Sequence, residues 1–323
     1  MLPRALPVVH TSHLHGVLTS RLDLTVTAVS VILPAFNPDE GLLRLALDSV
    51  ISQTLSDWDL VVIDDGSYVP LLWCRTIDPR ISVIRQRNTG LARARNRGIN
   101  ETRAPLLAFL DADDIWMPTK LERQVERLST SPDSVLCATN FEHIDADGAY
   151  LSGGYNGHNS SYVDLLGGCG ICVSTVVVRR PALEVCGAFD PAYSTASDWE
   201  LWLRLALVGT FANIDDVLAQ YRLHASNMSR DYALTYSEAV RFLSAHRTQC
   251  ESQGRHNCAL AASDGMRTLR QRSARQAIDE ARRSSREGRL LETGRHLYKA
   301  AVFNPPTTAR DLWGMLTRTR GNA

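Results

Sequence analysis

The sequence predicts an α/β protein: a mostly parallel central sheet flanked by helices, followed by a helical C-terminal extension. Three observations predict it. Five short apolar runs recur between residues 29 and 140, helical patterns lie between them, and strand signals cease beyond residue 231.

The runs are VSVIL (29–33), LVVI (60–63), ISVI (81–84), LLAFL (106–110) and SVLCAT (134–139). They are too short for helices and rich in β-branched residues, as expected of strands buried on both faces. Between the first two lies NPDEGLLRLALDSVISQTL. Asn37 suits an N-cap, Pro38 the first helical position, and Glu40 completes a capping-box spacing. Leu43, Leu47, Val50 and Ile51 then share one helical face. Strand, helix, strand in repetition means right-handed βαβ units. The stretches GGYNGHNSS (153–161) and GGCG (167–170) read as loops of the kind that shape binding sites. ICVSTVVV (171–178) reads as a strand and DWELWLRLALVG (198–209) as a helix ending at Gly209. Beyond residue 231 the pattern is helical and rich in arginine and alanine. Leu290, Leu291, Leu297, Tyr298, Ala301 and Val302 give one helix an apolar face before Asn304-Pro305-Pro306 stops it. The expected organisation is an extension (1–28), a main domain (29–230) and a helical region (231–323).

Composition narrows the function. Lysine plus arginine (35) equals aspartate plus glutamate (35), which argues against nucleic-acid binding driven by bulk charge. With 44% hydrophobic and 22% charged residues the chain is not a disordered one. No apolar run reaches the roughly 18 residues that span a bilayer, and MLPRALPVVHTSHLHG lacks the apolar core of a secretory signal. Seven scattered cysteines are an odd count and suggest a reduced, cytoplasmic setting rather than a disulfide framework. Cys169 and Cys172 form a CxxC without a second pair or nearby histidine to complete a zinc site, so buried thiols are expected. His10, His13 and His15 are read as incidental.

In an open parallel sheet, ligands collect beyond the carboxyl ends of the strands where strand order reverses. Pro34-Ala35-Phe36-Asn37 follows the first strand, Asp64-Asp65-Gly66-Ser67 the second, and Asp111-Ala112-Asp113-Asp114 the fourth. Crowded carboxylates repel unless a cation sits among them, and their oxygens favour hard ions such as Mg²⁺ or Mn²⁺. Asp111 and Asp113 point the same way in an extended segment. One would hold the metal, Asp113 by preference, while the other orients it or a ribose hydroxyl. Singly, each piece has a plainer reading: DDG is a common turn, and Phe36 alone reads as core.

Together, PAFN, IDDGS, NTGLARARNRG (88–98), FLDADDIWMP (109–118), STVVVRR (174–180), GAFD (187–190), SDWELWLRL (197–205) and YRLHASNMS (221–229) closely resemble glycosyltransferase family 2 over residues 29–230. The resemblance implies the GT-A fold and a nucleotide-sugar donor. By it, Pro34, Phe36 and Asn37 line the nucleotide site, with Phe36 against the nucleobase where many relatives carry tyrosine, so that a phenolic hydroxyl is lost. Asp65 would hydrogen-bond to that base. Asp111 and Asp113 match the family's DxD, which binds the cation bridging the two phosphates. Asp198 matches the base that deprotonates the acceptor, with Glu200 as fallback because Ser197 stands where many relatives have a second acid. An aspartate favoured by the helix dipole is the plainer alternative. One opposed base implies direct displacement with inversion. Arg95 and Asn96 match the AR-N signature, His224 falls where relatives place a histidine near metal or diphosphate, and Arg222 would meet the diphosphate or a surface carboxylate.

The implied donor nucleotide is UDP by default, GDP or dTDP remaining open, and the acceptor a glycan or lipid-linked hydroxyl in surface polysaccharide or glycolipid assembly. Eight arginines between Arg267 and Arg289 face three acids. That helix fits peripheral contact with the inner face of a membrane, or, as the favoured reading, packing on its own domain or a second copy. FLDADDIW also fits the haloacid-dehalogenase pattern superficially, but Ile115 stands where Thr or Val belongs. A degenerate sugar-nucleotide-binding scaffold would have neutral residues in the DxD or base positions, and this chain does not.

Overall fold

The computed structural model describes residues 27–154, 161–224 and 227–303. The N-terminal extension up to residue 26, His10, His13 and His15, most of the 153–161 loop, residues 225–226 and the Asn304-Pro305-Pro306 stop lie outside the described residues. The first strand, β1 (Val29–Ala35), is buried at every position, which explains its continuous apolar run. After it come α1 (Glu40–Ile51), β2 (Trp58–Asp64), β3 (Ile81–Arg85), α2 (Leu91–Glu101) and β4 (Leu106–Phe109). These four strands lie side by side as β3-β2-β1-β4, all parallel. The order therefore reverses at β1, and the switch point lies between the carboxyl ends of β1 and β4. Close packing of α2 on β1 depends on Gly98, where a Cβ would stand 2.5 Å from Ile32 Cγ2.

The start of α1 differs from expectation. Asp39 is its N-cap, accepting the Leu42 N–H at 3.0 Å. Asn37 is instead in the left-handed region at φ 46° and is engaged elsewhere, as described below.

Past β4 the parallel pattern gives way. The chain runs through β5 (Ile115–Trp116), α3 (Lys120–Ser129), β6 (Ser134–Ile144), β7 (Tyr150–Gly154), α4 (Tyr162–Gly167), β8 (Val176–Arg179), α5 (Arg180–Cys186), α6 (Ser197–Leu205) and β9 (Thr210–Arg222). The full order is β3-β2-β1-β4-β8-β6-β9-β5, with β7 beside β6. β8 is antiparallel to both β4 and β6, β5 is antiparallel to β9, and β6 is parallel to β9. The mostly parallel expectation thus holds for the N-terminal half, and the sheet as a whole is mixed. The run expected as a strand over 171–178 opens with a 3-10 turn at Val173–Thr175, and α6 ends at Leu205, before Gly209.

The described residues fall into two compact units, one from 27–165 with 169–227, the other from 166–168 with 228–303. The sequence reading draws its line at 230. The second unit holds α7 (Tyr232–Ser252), α8 (His256–Arg286) and α9 (Leu290–Phe303). Its small core joins Tyr232, Ala274, Ala277, Ile278, Ala300 and Phe303. Gly265 lets α8 approach residue 166, whose carbonyl oxygen would collide with any Cβ there. Several arginines of α8 pair with acids one turn away, Arg267 with Asp264 and Arg282 with Asp279. Of the residues expected to form an apolar face on α9, Leu290, Leu291, Tyr298 and Val302 are exposed, while Ala300 and Phe303 pack inward.

Candidate active site

Register places the first two loops together, since Ala35 pairs with Asp64 at the ends of β1 and β2. Asp64 is fully buried and serves the turn: Oδ1 accepts the Ser67 N–H at 2.8 Å, Oδ2 the Leu71 N–H at 3.3 Å. Asp65 is only 3% exposed. Its oxygens accept from Gln86 Nε2 (2.7 Å), Thr89 N–H (3.0 Å) and Gly90 N–H (2.9 Å). This carboxylate thus holds the amino end of α2, and its oxygens are turned to residues 86–90. Pro34 lies within buried β1. Phe36 is 49% exposed, so the plainer reading of it as core does not hold. Asn37 clamps the two loops: its N–H donates to Ser67 Oγ (2.9 Å) and its Oδ1 accepts the Tyr68 N–H (2.7 Å). The left-handed φ of Asn37 costs energy, and these two bonds offset it.

Across the switch point, the Leu110 N–H donates to Ile32 O, continuing the β1–β4 pairing to the edge of the acidic loop. Asp111 Oδ1 accepts from Arg95 Nη2 of α2 at 2.6 Å, and that arginine is buried. Asp113 Oδ2 lies 2.6 Å from His224 Nε2, a contact spanning 111 residues of chain. Asp114 is fully buried, accepting the Ser174 hydroxyl on Oδ2 (2.5 Å) and the Arg222 N–H on Oδ1 (3.0 Å). Ser174 Oγ also accepts the Asp111 N–H at 3.2 Å. One hydroxyl therefore ties both ends of the DADD loop to the turn before β8.

The expectation that Arg222 reaches outward, to a diphosphate or a surface carboxylate, is corrected. It is 1% exposed. Its guanidinium donates to the carbonyls of Asp113, Asp145 and Ala146, each at 3.0 Å. Asn227 then brackets the next turn, donating to Arg222 O (2.9 Å) and accepting the His224 N–H (2.5 Å). Asp114, Ser174 and Asn227 are supports that sequence reasoning missed. Their partners are distant in the chain, and the only signal was their presence inside the quoted motifs.

Burial, and then the charge of Asp111, push the Asp113 carboxyl above its ordinary range, against the pull of its bond to His224. Asp114 is raised well above that range, by burial first and by Asp113 and Asp111 after it. Such crowding favours a cation. Among the described residues no group of three or more His, Cys, Asp or Glu side chains is arranged to hold a metal. Asp113 and His224 offer one oxygen and one nitrogen. That fits a Mg²⁺- or Mn²⁺-type ion, which takes few protein ligands and completes its shell with phosphate oxygens and water.

Asp198 stands in the first turn of α6, its Oδ1 accepting the Trp199 N–H at 2.8 Å. Burial raises its carboxyl; the charge of Arg95 opposes the rise and that of Asp111 adds to it. Glu200, the fallback, forms a buried two-point pair with Arg204 (2.8 and 2.6 Å). That arginine also holds the carbonyls of residues 186–188, so Glu200 is committed to structure. Ser197 is buried. Asn96 grips Phe189 of GAFD in both directions (2.7 and 3.0 Å), and Arg95 lies over the Phe189 ring. Cys169 and Cys172 feel the same carboxylates: burial first, then Asp198 for one and Asp114, Asp111 and Asp198 for the other, push their thiols up. Both side chains are half-buried rather than fully buried as expected.

Among the described residues no helix is long and apolar enough to cross a membrane.

Residues 30–183 match glycosyl transferase family 2. An uncharacterised glycosyltransferase of Nostoc sp. is 33% identical over 65% of this chain and 69% of its own. An Escherichia coli protein named UDP-Glc:alpha-D-GlcNAc-diphosphoundecaprenol beta-1,3-glucosyltransferase is 30% identical over 62% of this chain and 79% of its own. Other relatives are longer: the chain spans 31% of an uncharacterised Rickettsia bellii glycosyltransferase and 30% of Escherichia coli chondroitin synthase. In fold, the chain is similar to Staphylococcus aureus TarS 1-349 in complex with UDP-GlcNAc, with a TM-score of 0.56 over 85% of this chain and 91% of that one at 15% identity. With its switch-point loops, its acidic edge and these relatives in agreement, the chain belongs to glycosyltransferase family 2 and carries the GT-A fold.

Proposed function

We propose that the protein transfers a sugar, with inversion, from a UDP-sugar to a hydroxyl of a glycan or lipid-linked acceptor in surface polysaccharide assembly. The observation that carries the reading is the meeting of Asp113 with His224 at 2.6 Å, beside Asp111 held by Arg95. The UDP-linked names of the Escherichia coli relative and of the TarS complex support the choice of nucleotide. A divalent cation held by Asp113 and His224 would neutralise the charge that develops on the departing diphosphate.

The chain's own residues do the rest. Phe36 and the loop around Asn37 receive the nucleoside, and Arg95 keeps Asp111 turned toward the acidic edge. The acceptor oxygen bonds to the anomeric carbon on the face opposite the diphosphate. The bond from that carbon to the diphosphate oxygen breaks, its electron pair leaving with the oxygen, and the acceptor's proton passes to Asp198. A carboxylate whose affinity for protons is raised by burial is the better acceptor for that proton.

The test is UDP binding by thermal shift with and without Mn²⁺, followed by turnover across a panel of UDP-sugars in the wild type and Asp198→Asn. Metal-dependent UDP binding in both, with turnover lost only in the variant, is expected. Near-normal turnover in Asp198→Asn would overturn the assignment of the base, and UDP binding indifferent to metal would overturn the cation site.

A further inference from the structure

The aromatic surface at the nucleotide edge extends beyond Phe36. Tyr68 follows Ser67 in the second loop and is 87% exposed. Its ring centroid lies 6.4 Å from that of Phe36, with the planes tilted by 54°. A ring so exposed contributes little burial free energy to folding.

Nor does Tyr68 ride on a loose loop. The Ser67 N–H donates to Asp64 Oδ1 (2.8 Å), Arg85 Nη2 to Ser67 O (2.8 Å), the Asn37 N–H to Ser67 Oγ (2.9 Å) and the Tyr68 N–H to Asn37 Oδ1 (2.7 Å). Three backbone groups beneath the ring and the Ser67 hydroxyl are thus held, two of the bonds made by an Asn37 in the left-handed region. A preorganised backbone that holds one exposed ring beside another is a stacking platform. Stacking contacts of about 3.5 Å on each face of a flat ligand set two walls roughly 7 Å apart. To reach parallel walls at that spacing the Tyr68 ring must turn out of its 54° tilt and move slightly outward, which its exposure leaves room for.

We propose that Tyr68 is the second wall of the donor's nucleobase site, with the base held between Phe36 and Tyr68 and the phenol hydroxyl offering a hydrogen bond that Phe36 cannot make. This rests on the nucleotide reading of the loop around Phe36. It makes Tyr68 a determinant of affinity for the base, separate from the diphosphate.

Calorimetric titration of the full chain with UDP and with inorganic pyrophosphate, both in Mn²⁺, separates the two parts of the ligand. Tyr68→Ala is expected to weaken UDP about ten-fold or more while pyrophosphate binding stays within about two-fold. Tyr68→Phe, which keeps the ring, is expected to weaken UDP by about three-fold. Unchanged UDP affinity in Tyr68→Ala, with the wild type binding UDP, would overturn the inference alone. Equal weakening of UDP and pyrophosphate would also overturn it, because the ring would then be acting on the whole loop. A wild type that binds neither ligand would remove the nucleotide reading together with this one.

Discussion

Arg222→Met tests whether the acidic edge is held from behind. Methionine keeps the apolar stem and removes the guanidinium that bridges the carbonyls of Asp113, Asp145 and Ala146. Ala146 is exposed, so its carbonyl regains water at little cost. The other two lose a bond to a charged donor, each worth about 1.5–3 kcal/mol. Part of that is offset because a buried guanidinium no longer has to be desolvated. The expected loss is about 3 kcal/mol of stability, together with at least ten-fold weaker Mn²⁺ binding in the presence of UDP, since the Asp113 backbone is no longer fixed. Five of the six tryptophans, at 58, 73, 116, 199 and 202, lie in the first unit. Urea unfolding followed by tryptophan fluorescence therefore reports on the unit that carries the site. Arg222→Lys keeps the charge without the planar fork and should recover about half of the loss. A methionine variant within about 1 kcal/mol of the wild type, with Mn²⁺ affinity unchanged, would refute the reasoning.

Other expectations follow from the same geometry. Asp198→Asn should lower turnover by a factor of about 10² to 10⁴ while UDP affinity stays near that of the wild type, as read by steady-state kinetics and calorimetry. Glu200→Gln breaks the buried pair with Arg204 and should cost about 3 kcal/mol in urea unfolding, yet leave much more turnover than Asp198→Asn; the reverse order of activities would make Glu200 the base. Burial pushes the Lys120 ammonium down to about 7 from 10.5, although Gln124 accepts from it at 2.7 Å and the Trp116 ring lies beneath it. Between those two values the unfolded chain holds a proton that the folded one has released. Stability should accordingly rise with pH across that window, by up to about 1.4 kcal/mol per pH unit. Lys120→Met should abolish that rise in urea midpoints taken at pH 7.5 and 9, and a wild type showing none would contradict the burial argument.

Much of the N-terminal half is legible in the sequence because its signals are local. Each parallel strand is an apolar run followed within a few residues by the loop it delivers, so PAFN, DDGS and DADD fall on one edge without knowledge of any partner. β9 escaped notice because Asp215 and Asp216 interrupt its apolar pattern and its pairing partner, β6, lies nearly eighty residues earlier. The start of α1 was misplaced because Asn37 looks like a cap, while its side chain is spent on Tyr68 across two loops. Arg222 was read as outward-facing because nothing in YRLHASNMS shows that three carbonyls from two other segments await it. The apolar residues of α9 follow a helical period, yet period alone does not say which face finds a partner. Residue types are written locally, whereas the direction of a side chain depends on which distant backbone arrives beside it.

The second helix of the chain links segments of the first unit that are far apart in sequence. Its amino end is gripped by Asp65, and one turn further on Arg95 and Asn96 grasp Asp111 and Phe189. A single helix thus ties the end of β2 to the DADD loop and to Phe189 of GAFD. A substitution that loosened its amino end, such as Asp65→Ala, would therefore be felt at Asp111 and Phe189, which that carboxylate never touches.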